Sequence, residues 1–322
     1  MRSRILPRLA VVACAALLVA TGYAQEYPTK PIRVIVGYTA GGGNDLIVRL
    51  LAPKMTEGLG QPIIVENKAG AQSIIAAEFV AKSAPDGYTI LMGPSGPMTM
   101  NPATYTKLPY SPTRDFVPIS MIGSFPLIVA VSSQLPVRSV KELVEYAKAR
   151  PTQVNYSSSA AAFQLTTELF KQKTGTQFTH IPYKGSGDSI KAVIAGEVTM
   201  TIVDPPPAAG PLKGGQLRAL AVTSPSRHPN YPDVPTMAEA GIPDMEIGIW
   251  TAFFVPAGTP PAVVKRLQEE VARVVRLPDI RERLNDLGVE PVGGTSEELG
   301  RRVVSDIERW TAVAKAGNIK SD

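Results

Sequence analysis

The chain has 322 residues and a formal net charge of +5, from 33 lysines and arginines against 28 aspartates and glutamates. Arg2, Arg4 and Arg8 carry most of that excess, so the remainder offers no basic surface of the kind that binds nucleic acid or an anionic membrane. One cysteine and two histidines exclude a disulfide framework and a His/Cys metal site.

The N-terminus predicts an export signal. The three arginines precede an apolar run over residues 9–20, and Ala24 is a small residue at a suitable cleavage point. This run is shorter than the roughly 20 residues that span a bilayer. We therefore expect residues 1–24 to be a signal peptide, Cys14 to leave with it, and the mature protein to lie in the periplasm. The remaining length predicts two domains.

A glycine-rich loop separates the first predicted strand from the first predicted helix. Apolar β-branched residues at 32–36 predict a buried strand, and apolar residues at helical spacing from Leu46 onward predict a helix. The loop ends in Gly41, Gly42, Gly43, Asn44 and Asp45. Asn and Asp are favoured at helix N-caps, so we expect the helix to begin here, with Asp45 as a cap.

Uncovered N–H groups at such a helix start can hold an anion. Leu46 stands where a dinucleotide motif needs a glycine, and no lysine follows the glycines as in a P-loop. A small carboxylate needs only two or three N–H donors and is the favoured interpretation. A glycine turn without a ligand is the alternative, and a nucleotide site is the least favoured.

Short apolar strands alternate with helices along the rest of the chain, which predicts an α/β protein with mainly parallel sheets. Pro53 should kink or shorten the first helix, and residues 93–118 read as a long loop. Capping boxes at 139–142 and 295–298 predict two helix starts. Further strands are expected at 62–66, 88–92, 127–131, 154–156, 178–181, 199–203, 217–222 and 247–255, and further helices at 71–82, 165–173 and 281–287.

Several segments in order resemble the periplasmic solute-binding receptors of tripartite tricarboxylate transporters, the Bug family. The resemblance covers nearly the whole mature chain. It is carried by YPTKPIRVIVGYTAGGGND (27–45), GQPIIVENKAGA (60–71), APDGYTILMG (84–93), LPYSPTRDFVPIS (108–120), HIPYKGSG (180–187), LRALAVTS (217–224), VPTMAEAGIP (234–243) and VPAGTP (255–260).

The resemblance implies a fold like that of type II periplasmic binding proteins, in which two α/β lobes close about a hinge on a small mono- or dicarboxylate. We expect a discontinuous first lobe of residues 25–124 and 226–322 and a second lobe of residues 125–225. It also implies membrane transporter subunits as partners. We expect a monomer with no cofactor, metal or catalytic residue. The implied ligand-binding residues are Thr39, Ala40, Gly41, Gly42, Gly43, Asn44, Asp45, Ser95, Ser157, Ser158, Ser159, Ala160 and Asp204.

The roles of several residues, and the function itself, have alternative interpretations. Tyr38 could flank the ligand or pack between the lobes, and Tyr38 or Phe163 could stack on an aromatic acid. Asp204 and Asp45 would repel an anion directly, so helix capping or loop structure is their alternative role. The protein could also present its ligand to a sensor kinase, or be an exported hydrolase acting through Ser95, although its G-x-S-x-G motif lacks the last glycine.

Overall fold

The computed structural model describes residues 27–316 and 319–320, so the predicted signal peptide lies outside the described residues. The first lobe contains a six-stranded sheet in the order β11-β4-β10-β3-β1-β2. Its strands are β1 (Ile32–Val36), β2 (Ile63–Asn67), β3 (Thr89–Pro94), β4 (Phe116–Pro126), β10 (Gly248–Pro256) and β11 (Glu290–Pro291). Its helices are α1 (Gly43–Leu59), α2 (Ile74–Ala81), α3 (Asn101–Thr104), α8 (Pro261–Arg276), α9 (Pro278–Asp286) and α10 (Ser296–Ala316).

The second lobe contains a five-stranded sheet in the order β7-β6-β8-β5-β9. Its strands are β5 (Ile128–Ser132), β6 (Asn155–Ser158), β7 (Thr179–Pro182), β8 (Met200–Val203) and β9 (Leu217–Val222). Its helices are α4 (Val140–Lys148), α5 (Ala161–Thr174), α6 (Ser186–Ile194) and α7 (Pro205–Lys213). Both sheets are mixed, which corrects the expectation of mainly parallel sheets. Strands β2, β1 and β3 are parallel, as are β7, β6 and β8, and the other pairings are antiparallel.

Three other expectations need correction. Helix α1 continues through Pro53 to Leu59, so the proline does not end it. The helix expected over 71–82 begins instead with a 3₁₀ turn at Ala71–Ser73, because three successive residues there have left-handed backbone. The loop expected over 93–118 contains a π-helical turn at Gly96–Met100, helix α3 and the start of β4.

The capping box at 295–298 forms fully and that at 139–142 forms in part, since Glu142 accepts the Arg138 amide and not that of Ser139. Ser139 Oγ accepts the Glu142 amide at 3.1 Å, and Thr295 and Glu298 each accept the other's amide. None of the helices within the described residues is both long and apolar enough to cross a bilayer.

Thr223 ties the crossing segments together at the hinge, where the chain passes between the lobes. Its hydroxyl donates to the Ile247 carbonyl and accepts the Leu127 amide at 2.8 Å, and its own amide donates to the Leu127 carbonyl. A buried hydroxyl that is fully bonded in this way holds three segments in one register. The precise lobe boundaries given above remain a prediction.

Candidate functional site

A small cavity lies in the cleft between the two lobes. Its volume is about 20 Å³, which is room for roughly one water molecule, so the lobes are closed on each other. Seven of the predicted residues line it: Tyr38, Gly42, Gly43, Asn44, Ser95, Ala160 and Asp204. The other lining residues are Pro94, Gly96, Phe125, Ala162, Phe163, Ser186 and Ile249, and of these Phe163 alone was predicted as a possible ligand contact, by stacking on an aromatic acid.

The glycine loop offers fewer free donors than its sequence suggests. The Gly41 amide donates to Asp45 Oδ2 at 2.9 Å, and the Gly42 amide donates to the Thr39 carbonyl at 3.2 Å. Gly42 is the N-cap of α1 and has no side chain with which to cap it. The first intrahelical bond runs from the Leu46 amide to the Gly42 carbonyl. The amides of residues 43–45 therefore have no acceptor in the helix and point out of its N-terminus.

Asp45 secures this loop and is not the N-cap that its sequence position suggested. It lies in the first turn of α1, and its carboxylate is 2% exposed. Besides the Gly41 amide, it accepts Arg49 Nε at 2.9 Å and Asn67 Nδ2 at 2.9 Å. Burial acts to raise the pKa of Asp45, but these donors outweigh it and leave the pKa below its usual range. With its oxygens engaged, the Asp45 side chain shapes the loop, and Asp45 itself does not line the cavity.

The remaining predicted residues of the loop lie beside the cavity and do not line it. Ala40 and Gly41 are exposed. Thr39 faces the second lobe, since a β-carbon at Gly185 would stand 1.8 Å from its hydroxyl. Asn44 lines the cavity, and its side-chain oxygen accepts the Thr251 hydroxyl at 2.8 Å.

The serines at the end of β6 and directly after it form hydrogen bonds within the second lobe. Ser157 accepts the Ser189 hydroxyl at 2.6 Å, and Ser158 pairs with His180 Nε2 at 2.7 Å. Ser159 Oγ lies 3.2 Å from the hydroxyl of Ser186, a cavity residue. These three serines thus support the wall, while Ala160 and the start of α5 form its surface.

Asp204 is the one charged side chain that lines the cavity within the described part of the chain. It follows β8, is 3% exposed, and accepts the Ser186 hydroxyl at 2.7 Å. The three residues after it are prolines, which have no N–H, so beyond the backbone amide of Asp204 itself the start of α7 gives this carboxylate no amide donors. Burial raises the pKa of Asp204 to about 6. The carboxylate also lies against α1 of the first lobe, since a β-carbon at Gly43 would stand 1.8 Å from Asp204 Oδ2.

The other walls are apolar. Tyr38, Phe125, Phe163 and Ile249 are each less than 10% exposed and belong to four different elements or loops. Phe125 and Ile249 are direct neighbours across β4 and β10. Among the residues that the structure describes, no lysine, arginine or histidine lines the cavity. An anion here would be held by backbone amides and hydroxyls, with apolar groups around its carbon chain.

A larger cavity, of about 960 Å³, lies at the hinge. Phe125 lines both cavities and so forms a shared wall. The hinge cavity contains Arg227 and Arg309 but none of the predicted ligand-binding residues. Arg227 is already engaged by Glu239, through Nε at 2.9 Å.

Ser95 lacks the neighbours of a hydrolytic nucleophile. Its hydroxyl is buried and has no hydrogen-bond partner within the described residues. His180 bonds to Ser158, and His228 lies at the hinge and accepts the Asn230 amide at 3.2 Å. Neither histidine is placed to accept a proton from Ser95.

Comparison with known proteins places this geometry in context. Residues 47–319 match the family model described as the tripartite tricarboxylate transporter family receptor. Protein BugT of Bordetella pertussis is 34% identical over 99% of this chain and 98% of its own length. The structure of R. palustris Rpa4515 with adipate is 37% identical, covering 91% of this chain and 99% of that one, with a TM-score of 0.88. The periplasmic binding protein BugD is 30% identical, covering 92% and 100%, with a TM-score of 0.89.

Proposed function

This chain belongs to the tripartite tricarboxylate transporter receptor family, a family of solute-binding receptors and not of enzymes, and we propose that it delivers a small carboxylate to a membrane transporter. In this proposal the protein lies in the periplasm, residues 1–24 are its signal peptide, and it acts as a monomer. The lobes of residues 25–124 with 226–322 and of residues 125–225 open and close about the hinge.

One observation carries the proposal: the amides of residues 43–45, which have no acceptor within α1, lie at the start of that helix where the two lobes meet. A carboxylate placed there would accept charge-assisted hydrogen bonds at the positive end of the helix dipole. Closure would remove water and strengthen those bonds. Rpa4515, which shares this fold and over a third of its sequence, has been solved with adipate.

The size of the cavity sets the order of events. In the closed arrangement it holds roughly one water molecule, so a carbon chain of four to six atoms can enter only when the lobes separate. The lobes must then close again with side chains of the cavity wall displaced, so that the ligand fits between them. Capture becomes a shift in the balance between open and closed forms, biased by contacts that exist only when both lobes touch the ligand.

Thermal unfolding of the mature protein with a panel of mono- and dicarboxylates tests this function. We expect at least one acid to raise Tm in a concentration-dependent way, because a ligand that binds only the folded state stabilises it. Acetate, malate, adipate and benzoate would separate chain length, charge number and aromaticity. A folded protein whose Tm does not respond to any acid of a broad panel would contradict the proposal.

A further inference from the structure

The turn that follows β2 has strained backbone at the edge of the cleft. Ala71, Gln72 and Ser73 have φ values of 45°, 51° and 69°, and none of them is glycine. Residues with side chains rarely adopt this left-handed region, and consecutive ones are rarer. Strain of this kind persists where the surroundings enforce it, and it concentrates at ligand clamps and switch regions.

The strained turn directs the Gln72 side chain across the cleft. Its Nε2 donates to Oε1 of Gln164 at 3.0 Å, joining positions 92 residues apart in the two lobes. The Gln72 carbonyl accepts Asn101 Nδ2 at 3.1 Å, which fixes the turn from behind. Gln164 lies in the first turn of α5, where its amide bonds to the Ala160 carbonyl. Each partner is thus held by its own lobe, and the bond between them can exist only when the lobes are closed.

Buried polar atoms around this turn have no partner within the described residues. They are Gln72 Oε1, Ser73 Oγ, Ser95 Oγ and Asn101 Oδ1. Ser73 and Asn101 are 0% exposed and Ser95 is 2% exposed. Unpaired buried polar groups destabilise a fold, so both the left-handed backbone and these polar atoms lower stability on this side of the cleft. Such a cost at one place is typical of a site kept for function.

We propose that Gln72 and Gln164 form a clasp across the cleft that sets how far the lobes close, and therefore how tightly a bound acid is held. The inference rests on the proposed function and deepens it. The two glutamines are positioning residues: they act on affinity through the closure equilibrium and not by contact with the ligand. Because both side chains are neutral, the clasp itself does not change with pH or salt.

Four variants test the clasp: Gln72→Gly, Gln164→Ala, the double variant, and Ala71→Gly as the matched control. Glycine relieves the left-handed strain at 71 and at 72 alike, so both glycine variants should raise Tm. Only Gln72→Gly also removes the cross-cleft bond. X-ray scattering of the free protein reports lobe closure, and calorimetry with adipate reports Kd.

We expect Gln72→Gly and Gln164→Ala each to enlarge the radius of gyration of the free protein and to weaken adipate binding roughly three- to tenfold. The double variant should have the same radius of gyration and the same Kd as either single variant, because both substitutions remove the same bond. Ala71→Gly should match the wild type in radius and Kd. Both glutamine variants matching Ala71→Gly, or additive effects in the double variant, would overturn the clasp. If no acid binds the wild type, the proposed function fails, and the scattering comparison alone decides the clasp.

Discussion

Substitution of Gly43 by alanine should uncouple folding from ligand capture. A β-carbon at this position would lie 1.8 Å from Asp204 Oδ2 and 3.0 Å from Asp204 Cγ, where ordinary contact begins at 3.4 Å. Gly43 lies at the start of α1 outside the left-handed region, so alanine suits the first lobe and should stabilise its helix by about 0.5–1 kcal/mol. The conflict arises only when the lobes are closed.

The cost of closure can be worked from the contacts of Asp204. To make room for the methyl group, the carboxylate must turn away and lose the bond from the Ser186 hydroxyl, or the lobes must stay apart. A hydrogen bond to a charged group is worth about 2 kcal/mol, which corresponds to about a thirtyfold increase in Kd. Tm without ligand should stay equal or rise.

Calorimetry with the acid that most stabilises the wild type measures the effect, and scattering of the free protein reports closure. Gly210→Ala is the matched control, since Gly210 lies within a second-lobe helix and a β-carbon there would meet nothing within 4 Å. Wild-type affinity and wild-type closure in Gly43→Ala would refute the role of this contact.

Three further predictions follow from the carboxylates of the site. Asp204→Asn should stabilise the protein at pH 7 but not at pH 4, as measured by urea unfolding. Burial raises the pKa of Asp204 from 3.8 to about 6, so about 3 kcal/mol of stability present at low pH is lost between pH 4 and 6. Asparagine does not ionise, so the variant avoids that loss. Affinity for an acid, measured by calorimetry, should rise as the pH falls from 8 to 6, because protonation of Asp204 removes its repulsion of the anion; a flat profile would place the ligand elsewhere. Asp45→Ala should lower stability by about 2–3 kcal/mol in urea unfolding and weaken binding at least tenfold, because the Gly41 amide and Arg49 lose their acceptor. Asp188→Ala, at a half-exposed carboxylate, is the control and should change either quantity little.

The local pattern predicts the first strand, the first helix and the position of the loop between them. Periodicity and the glycine run are properties of neighbouring residues, so they can be read without the fold. Which acceptors the loop amides bond to cannot be read from neighbouring residues in the sequence. Asp45 was expected to cap its own helix, and it instead reaches back to the Gly41 amide, because Arg49 and Asn67 hold it in place.

The far walls of the cavity were missed for a different reason. Phe125 and Ile249 come from strands more than a hundred residues apart, and their register places them side by side. Strand β4 itself was not predicted, since Pro118 interrupts its pattern and its pairing with β10 shifts register twice. Ser186 lies within the conspicuous segment at 180–187, but only the fold shows that its hydroxyl meets Asp204. The three prolines after Asp204 begin a helix, since proline suits the first turn.

A crystal structure of the mature protein with its tightest-binding acid tests the central claim most directly. We predict one carboxylate group of the ligand within hydrogen-bond distance of the amides of residues 43–45, with both lobes in contact with the ligand. An acid seated instead in the hinge cavity beside Arg227 and Arg309, with those amides bonded to other protein groups, would contradict the account.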